Sequence, residues 1–260
     1  MREWWRQLSA LSRLSLLELY RRKDMIVVIV LAAVILLPLA LFSPFGTAGV
    51  SRYMSELALL LLWVFAAAIT LGVAARLFPP EFENRTMWPL LAKPVSRFTV
   101  VVGKYLGALL AAVSALLVFY MGYTILAGIR TGVWVTPILV QAFIMHVGFV
   151  ALLAAITLLG SLVMTPSANI TLCGLATVGM LIYGQRLPVL AAAQPQPVKA
   201  IVHFIYWIAP HFEFFDLRQR VVHEWPALGW GVCGVVALYT LCYVGLCLAL
   251  AGRAFRNKRF

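Results

Sequence analysis

Apolar and polar positions along this chain segregate into long blocks. Six apolar runs stand out, at 25–42, 57–78, 105–127, 137–164, 168–187 and 227–251. Each comes close to or exceeds the roughly 20 residues that a helix needs to cross about 30 Å of hydrocarbon. The pattern predicts an all-α membrane protein, one membrane domain over 1–260 with six transmembrane helices. A further apolar run, 198–209, has only 12 residues and follows Gln194-Pro195-Gln196-Pro197. It is too short to span, and the prolines break any helix running into it. Residues 188–226 are therefore expected outside the membrane, as one or two short helices resting on its surface before the last span.

Residues 1–23 form the other non-spanning element. At 100° per residue, Arg2, Arg6 and Arg13 share one narrow polar sector, with Trp4, Leu8, Leu11 and Leu19 opposite and Trp5 flanking them. This is the pattern of a basic amphipathic helix lying in the headgroup layer.

Composition agrees with the blocks. The chain is 63% hydrophobic and 12% charged, with mean hydropathy +0.95. A soluble domain carries about 45–50% apolar and about 25% charged residues. A cytosolic enzyme, a secreted disulfide domain and a disordered tail are excluded. The net charge of +12 reads as membrane topology and not as nucleic-acid binding. With the N-terminus in the cytoplasm, fifteen of the 21 Lys and Arg fall inside. Arg52, Arg130, Arg186, Lys199, Arg218 and Arg220 fall outside. That bias places both termini in the cytoplasm. The first 23 residues are too long and too charged for the n-region of a cleaved signal, so the first span is expected to remain as an anchor. Cys173, Cys233, Cys242 and Cys247 all lie in apolar runs and read as small membrane-buried residues.

The loop at 79–98, between spans two and three, is the most informative stretch. Pro79 and Pro80 are expected to stop span two. Glu81 and Glu83 sit where a short helix would begin, which suits its dipole. Leu90 and Leu91 give that helix an apolar side, and Lys93-Pro94 ends it. A short helix nearly parallel to the membrane follows, displayed to the cytoplasm in a form suited to docking a partner.

The residues of this loop resemble those of the membrane subunits of ABC-2 type ATP-binding-cassette transporters. The run that carries the resemblance is Glu81, Glu83, Thr86, Leu90, Leu91, Ala92, Lys93, Pro94, Val95, Ser96, Arg97, Val101, Gly103, Lys104 and Gly107. The six-span plan, the N-terminal interface helix and the short external helices are also similar to that family. The stretch 208–217 resembles the segment before the last span in small bacterial permeases of copper-enzyme maturation and gliding motility. The resemblance implies a coupling helix around 81–91 seated in a groove of a nucleotide-binding subunit, with Glu81, Glu83, Asn84, Arg85, Thr86, Leu90 and Leu91 at the contact. It also implies two copies of that ATP-binding subunit and a second permease subunit, identical or not, in a bacterial plasma membrane.

Several partial motifs lack the residues that their chemistry needs. Gly103-Lys104 is followed by Tyr105, and no glycine lies five residues before Gly103, so there is no phosphate-binding G-x-x-x-x-G-K-[ST] loop. ATP and magnesium are expected on a partner chain, with no cofactor in this one. Gly229–Gly234 matches G-x-G-x-x-G, but it enters a spanning segment with no strand before it, and small residues for helix contact explain it better. Gly103 and Gly107 read the same way. His223-Glu224 begins H-E-x-x-H, but Ala227 stands where the second histidine belongs. His203, His211 and His223 are loosely spaced and read as interfacial residues; no metal site is expected.

His146 is the one ionisable residue well inside a proposed span. His146, Thr157 and Ser161 fall on one helical sector. Either they line the translocation route, or His146 is a neutral side chain hydrogen-bonded between helices. An intramembrane enzyme would need more than one reactive group at depth. An ion-coupled transporter would favour buried carboxylates, and none lies in a proposed span. The expected function is a non-catalytic permease subunit, moving an unspecified cargo outward on ATP hydrolysed by another chain. A scaffold of the same fold without cargo stays open.

Overall fold

The computed structural model describes residues 6, 8–14, 17, 30, 48–84, 96–192 and 195–257. Nearly all of the expected first span lies outside them, as do Arg2, Trp4 and Trp5, and Arg85, Thr86, Leu90 and Leu91 of the loop. The described residues contain helices and no strand.

In chain order the helices are α1 (Ala48–Ala75), α2 (Pro79–Glu83), α3 (Arg97–Thr131), α4 (Pro137–Ser161), α5 (Pro166–Tyr183), α6 (Leu187–Ala192), α7 (Val198–Ile208), α8 (Arg218–Val222) and α9 (Trp230–Asn257). Short 3-10 turns occupy Gly184–Arg186 and Phe212–Phe215. Among the described residues five helical segments are long and apolar enough to cross a membrane: α1 run on through α2, then α3, α4, α5 and α9.

Helix α4 is the axis of the bundle. Its sequence is apolar on every side, which suits a helix in lipid or inside a bundle, and here the bundle surrounds it. Fifteen of its 25 residues are buried, and α1, α3, α5 and α9 all pack against it. The outer helices instead leave broad apolar stripes uncovered, with Leu172, Leu175, Val178 and Ile182 on α5 and Val235, Leu238 and Leu241 on α9 all exposed. Such stripes are at rest in lipid or against another membrane helix and are unfavourable in water.

Three local expectations need correction. Pro79 and Pro80 do not close α1, which ends at Ala75 before a turn at 76–78. They occupy the first positions of α2, where a missing N–H costs nothing and a fixed φ is already helical. Helix α3 begins at Arg97, eight residues before the apolar run at 105, because the Ser96 hydroxyl caps it by accepting the Thr99 N–H at 3.1 Å. The 188–226 region holds three short helices where one or two were expected. Among them α7 has no buried residue and presents Ile201, Phe204, Ile205, Trp207 and Ile208 outward. Its 11 residues reach about 16 Å, half of a bilayer core.

Candidate functional site: the junction of a short helix with three spanning helices

Helix α2 is bolted to the ends of α1, α3 and α9. The main bolt is Lys104, in the second turn of α3. Its Nζ lies 2.6 Å from Glu81 Oε1 and donates to the Leu77 carbonyl at 3.0 Å. The ammonium also sits 5.3 Å from the centre of the Phe78 ring, within the range of a cation–π contact. The Lys104 side chain is 5% exposed and that of Glu81 20%. A charge buried that deeply is tolerated only when paired and hydrogen-bonded. The ion pair therefore ties α2 to α3, and the carbonyl bond ties the end of α1 to the same lysine.

The second bolt is aromatic. Phe78, Phe82 and Phe255 form a cluster with ring centres 5.4 to 6.4 Å apart, inside the spacing at which aromatic pairs attract. Phe78 and Phe255 are fully buried. Phe255 belongs to the last turn of α9, so this cluster joins α2 to the C-terminal span. Arg97 closes the ring of contacts, donating from one guanidinium nitrogen to the carbonyls of Phe255 at 3.2 Å and Arg256 at 2.8 Å. A cation on the last carbonyls of a helix satisfies groups that have no partner within it.

The N-terminal segment packs against the same end. Residues 8–14 are helical, with Leu8 and Ser12 buried and Arg6 and Arg13 exposed. A Cβ on Gly103 would stand 2.7 Å from Leu11 Cβ, so the contact needs glycine there. The small residue at this turn of α3 thus makes room for the N-terminal helix.

Of the residues expected at the partner contact, Glu81 faces inward onto Lys104, while Glu83 and Asn84 are exposed. Lys104 was visible in the sequence as part of the loop pattern but was not singled out. A lysine immediately before the apolar run at 105, with a glutamate in the preceding loop, is the signal that marks it.

His146, Thr157 and Ser161 lie in the interior of the bundle, each at most 1% exposed. His146 is stacked on Trp63 at 4.8 Å between ring centres and shares a 3.4 Å hydrogen bond through Nδ1 with the Tyr120 hydroxyl. The Ser161 hydroxyl donates to the Leu158 carbonyl at 2.7 Å. Two other buried polar residues stitch helices together. The Gln141 amide exchanges two 2.8 Å bonds with the backbone of Leu228, just before α9. The Asn169 amide on α5 donates to the Thr157 carbonyl at 2.8 Å.

At the opposite end of the bundle, Phe212 and Phe215 are buried as a plug. Phe212 meets Phe149 edge-on at 5.3 Å. Arg218 pairs with Asp216 through both carboxylate oxygens and lies 5.7 Å from the Trp63 ring. His203 and His223 each donate a ring N–H to a carbonyl one turn back. Among the described residues no three His, Cys, Asp or Glu side chains gather into a metal site.

One family model, described as ABC-2 family transporter protein, matches residues 57–258. That interval runs from within α1 to the end of α9 and takes in the whole junction. No curated protein matches the chain. The chain belongs to the ABC-2 transporter family, as the multi-pass permease component of an ABC transporter.

Proposed function

We propose that this permease converts the motion of a separate ATP-binding subunit into movement of its spans, and that it does so through the junction around α2. ATP binding and hydrolysis belong to the partner, which seats on the exposed side of α2 and on the segment that follows it. Glu83, Asn84, Arg85, Thr86, Leu90 and Leu91 carry that contact, and Glu81 transmits it inward. Two partner subunits and a second permease subunit complete the assembly, which exports its cargo across a bacterial plasma membrane with both termini in the cytoplasm. The chain itself needs no cofactor and performs no chemistry.

The observation that carries this reading is the double attachment of α2. A five-residue helix has little stability of its own. Joined by the Lys104 ion pair to α3 and by the phenylalanine cluster to α9, it cannot be displaced without moving one of the two. Motion passed to α2 would in this way reach α3 through the ion pair and α9 through the aromatic cluster.

The test is association with the ATP-binding subunit, measured by co-purification at equal expression. The purified chain alone should hydrolyse no ATP. The exposed Glu83→Arg change should weaken association roughly tenfold, the order of one lost charge-assisted contact. Arg220→Glu, at the other end of the molecule, should leave it unchanged. Undiminished association of Glu83→Arg would remove α2 from the docking surface.

A further inference from the structure

A groove of about 630 Å³ opens beside the junction, where the start of α3 meets the end of α9. Among the described residues, its inner part is walled by Phe98, Ala249 and Gly252, and its outer part by Arg97, Arg253 and Arg256. Ala249, Gly252, Arg253 and Arg256 follow the i, i+3, i+4, i+7 spacing of one helical face. Along that face small apolar residues give way to arginines as the helix nears its end. Phe98 lies across Gly252, since a Cβ there would meet the ring at 2.7 Å. Arg97 uses its bonds to the carbonyls of Phe255 and Arg256 and so fixes the two walls together. Arg253 and Arg256 are exposed and line the mouth.

Depth decides what would fit. Helix α9 begins with Trp230, exposed as interfacial tryptophans are. About 20 residues further, one hydrocarbon thickness of ~30 Å, the helix has reached residue 250. Ala249 and Gly252 therefore stand at the edge of the acyl region, and Arg253 and Arg256 stand in the headgroup layer. We propose that this groove binds an anionic phospholipid, its phosphate held by Arg253 and Arg256 and the head of one acyl chain against Phe98, Ala249 and Gly252. The charge and the apolar wall match the two halves of such a lipid. Arginine's planar fork is the side chain best suited to phosphate. A lipid seated here touches both helices that hold α2, so the site lies where leaflet composition could bias the junction.

Native mass spectrometry of the full-length chain tests this, after incubation in detergent with equal amounts of phosphatidylglycerol and phosphatidylcholine. Wild type should retain phosphatidylglycerol in preference. Arg253→Gln/Arg256→Gln should lose that preference, by roughly fivefold for each arginine removed, and Arg253→Lys/Arg256→Lys should keep most of it. Ala249→Trp, which fills the groove without changing charge, should lower retention, and Arg220→Gln should not. Equal retention of the two lipids by wild type, or a preference untouched by the glutamine pair and by Ala249→Trp, overturns the proposal. So does loss of the ATP-binding partner in the glutamine pair with lipid binding intact, which would assign the arginines to a protein contact. No ATPase enters the lipid measurement, so failure of docking at Glu83 and failure of this site are separate results.

Discussion

Lys104 shows how a single side chain can be costly and indispensable. Removing one member of a buried ion pair strands the other, and the penalty grows with how completely the survivor is shut from water. Lys104 is 5% exposed and Glu81 is 20%, so the stranded lysine is the worse case. Glu81→Ala is expected to cost about 3 kcal/mol, and Lys104→Met clearly less. The double variant should recover part of the loss, since it strands neither charge. Thermal unfolding of the three purified variants gives the order directly. Negligible losses from both single changes would mean that the pair is hydrated and holds nothing.

At the scale of elements, the turn Phe212–Phe215, at the end of the bundle opposite the junction, carries a charge in an awkward place. The Glu213 carboxylate leans over Gly184, in space a Cβ would occupy. Its Oε2 is buried and has no hydrogen-bond partner among the described residues. Burial pushes the Glu213 carboxyl up, against a smaller lowering pull from His211. A carboxyl whose folded pKa exceeds its unfolded one favours folding while protonated. That contribution is whole below the ordinary value of 4.5 and is lost as the pH rises through the raised folded value. Thermal stability should therefore fall as the pH climbs from about 4.5, and Glu213→Gln should flatten that limb while raising stability at neutral pH. An unchanged slope in the glutamine variant would show that another group titrates. On the neighbouring helix α4 the His146 Nε2 and the Thr157 hydroxyl are likewise buried without a partner among the described residues, while other buried polar atoms there are bonded. Gln141 and Ser161 bond to backbone carbonyls, and His146 bonds to Tyr120.

For the whole molecule, the two ends differ in kind. One end gathers Arg97, Lys104, Arg253 and Arg256 around the junction, while the other is an aromatic cap of short helices with Arg218 paired to Asp216. The proposed orientation, with the junction in the cytoplasm, has a simple check. With a membrane-impermeant maleimide, Arg220→Cys should label from outside intact cells. Asn257→Cys should label only after the membrane is opened. The opposite pattern would invert the molecule and take the junction away from any cytoplasmic motor.

The fold class was legible in the chain because hydrocarbon imposes one rule. A segment crossing it must satisfy its own backbone, so length and apolarity are enough to mark a helix. The helices at 137–161 and 230–257 announce themselves in this way, and the shortness of 198–208 excludes it from spanning just as directly. The loop after residue 78 announces a short helix through Glu81 and Glu83, whereas its prolines read as a stop to span two and stand instead in the first turn of that helix. Periodicity could not say that α4 lies at the centre, since a helix apolar on all sides presents no preferred face. Nor could it pair Glu81 with Lys104, join Phe78 and Phe82 to Phe255, or bring Arg97 onto the carbonyls of Phe255 and Arg256. Those partners are separated by tens to more than a hundred positions, and proximity across such distances is a property of packing. Hydropathy along the chain determined which segments cross; only the tertiary structure decided which charges meet, because a buried charge takes its partner from space and not from sequence.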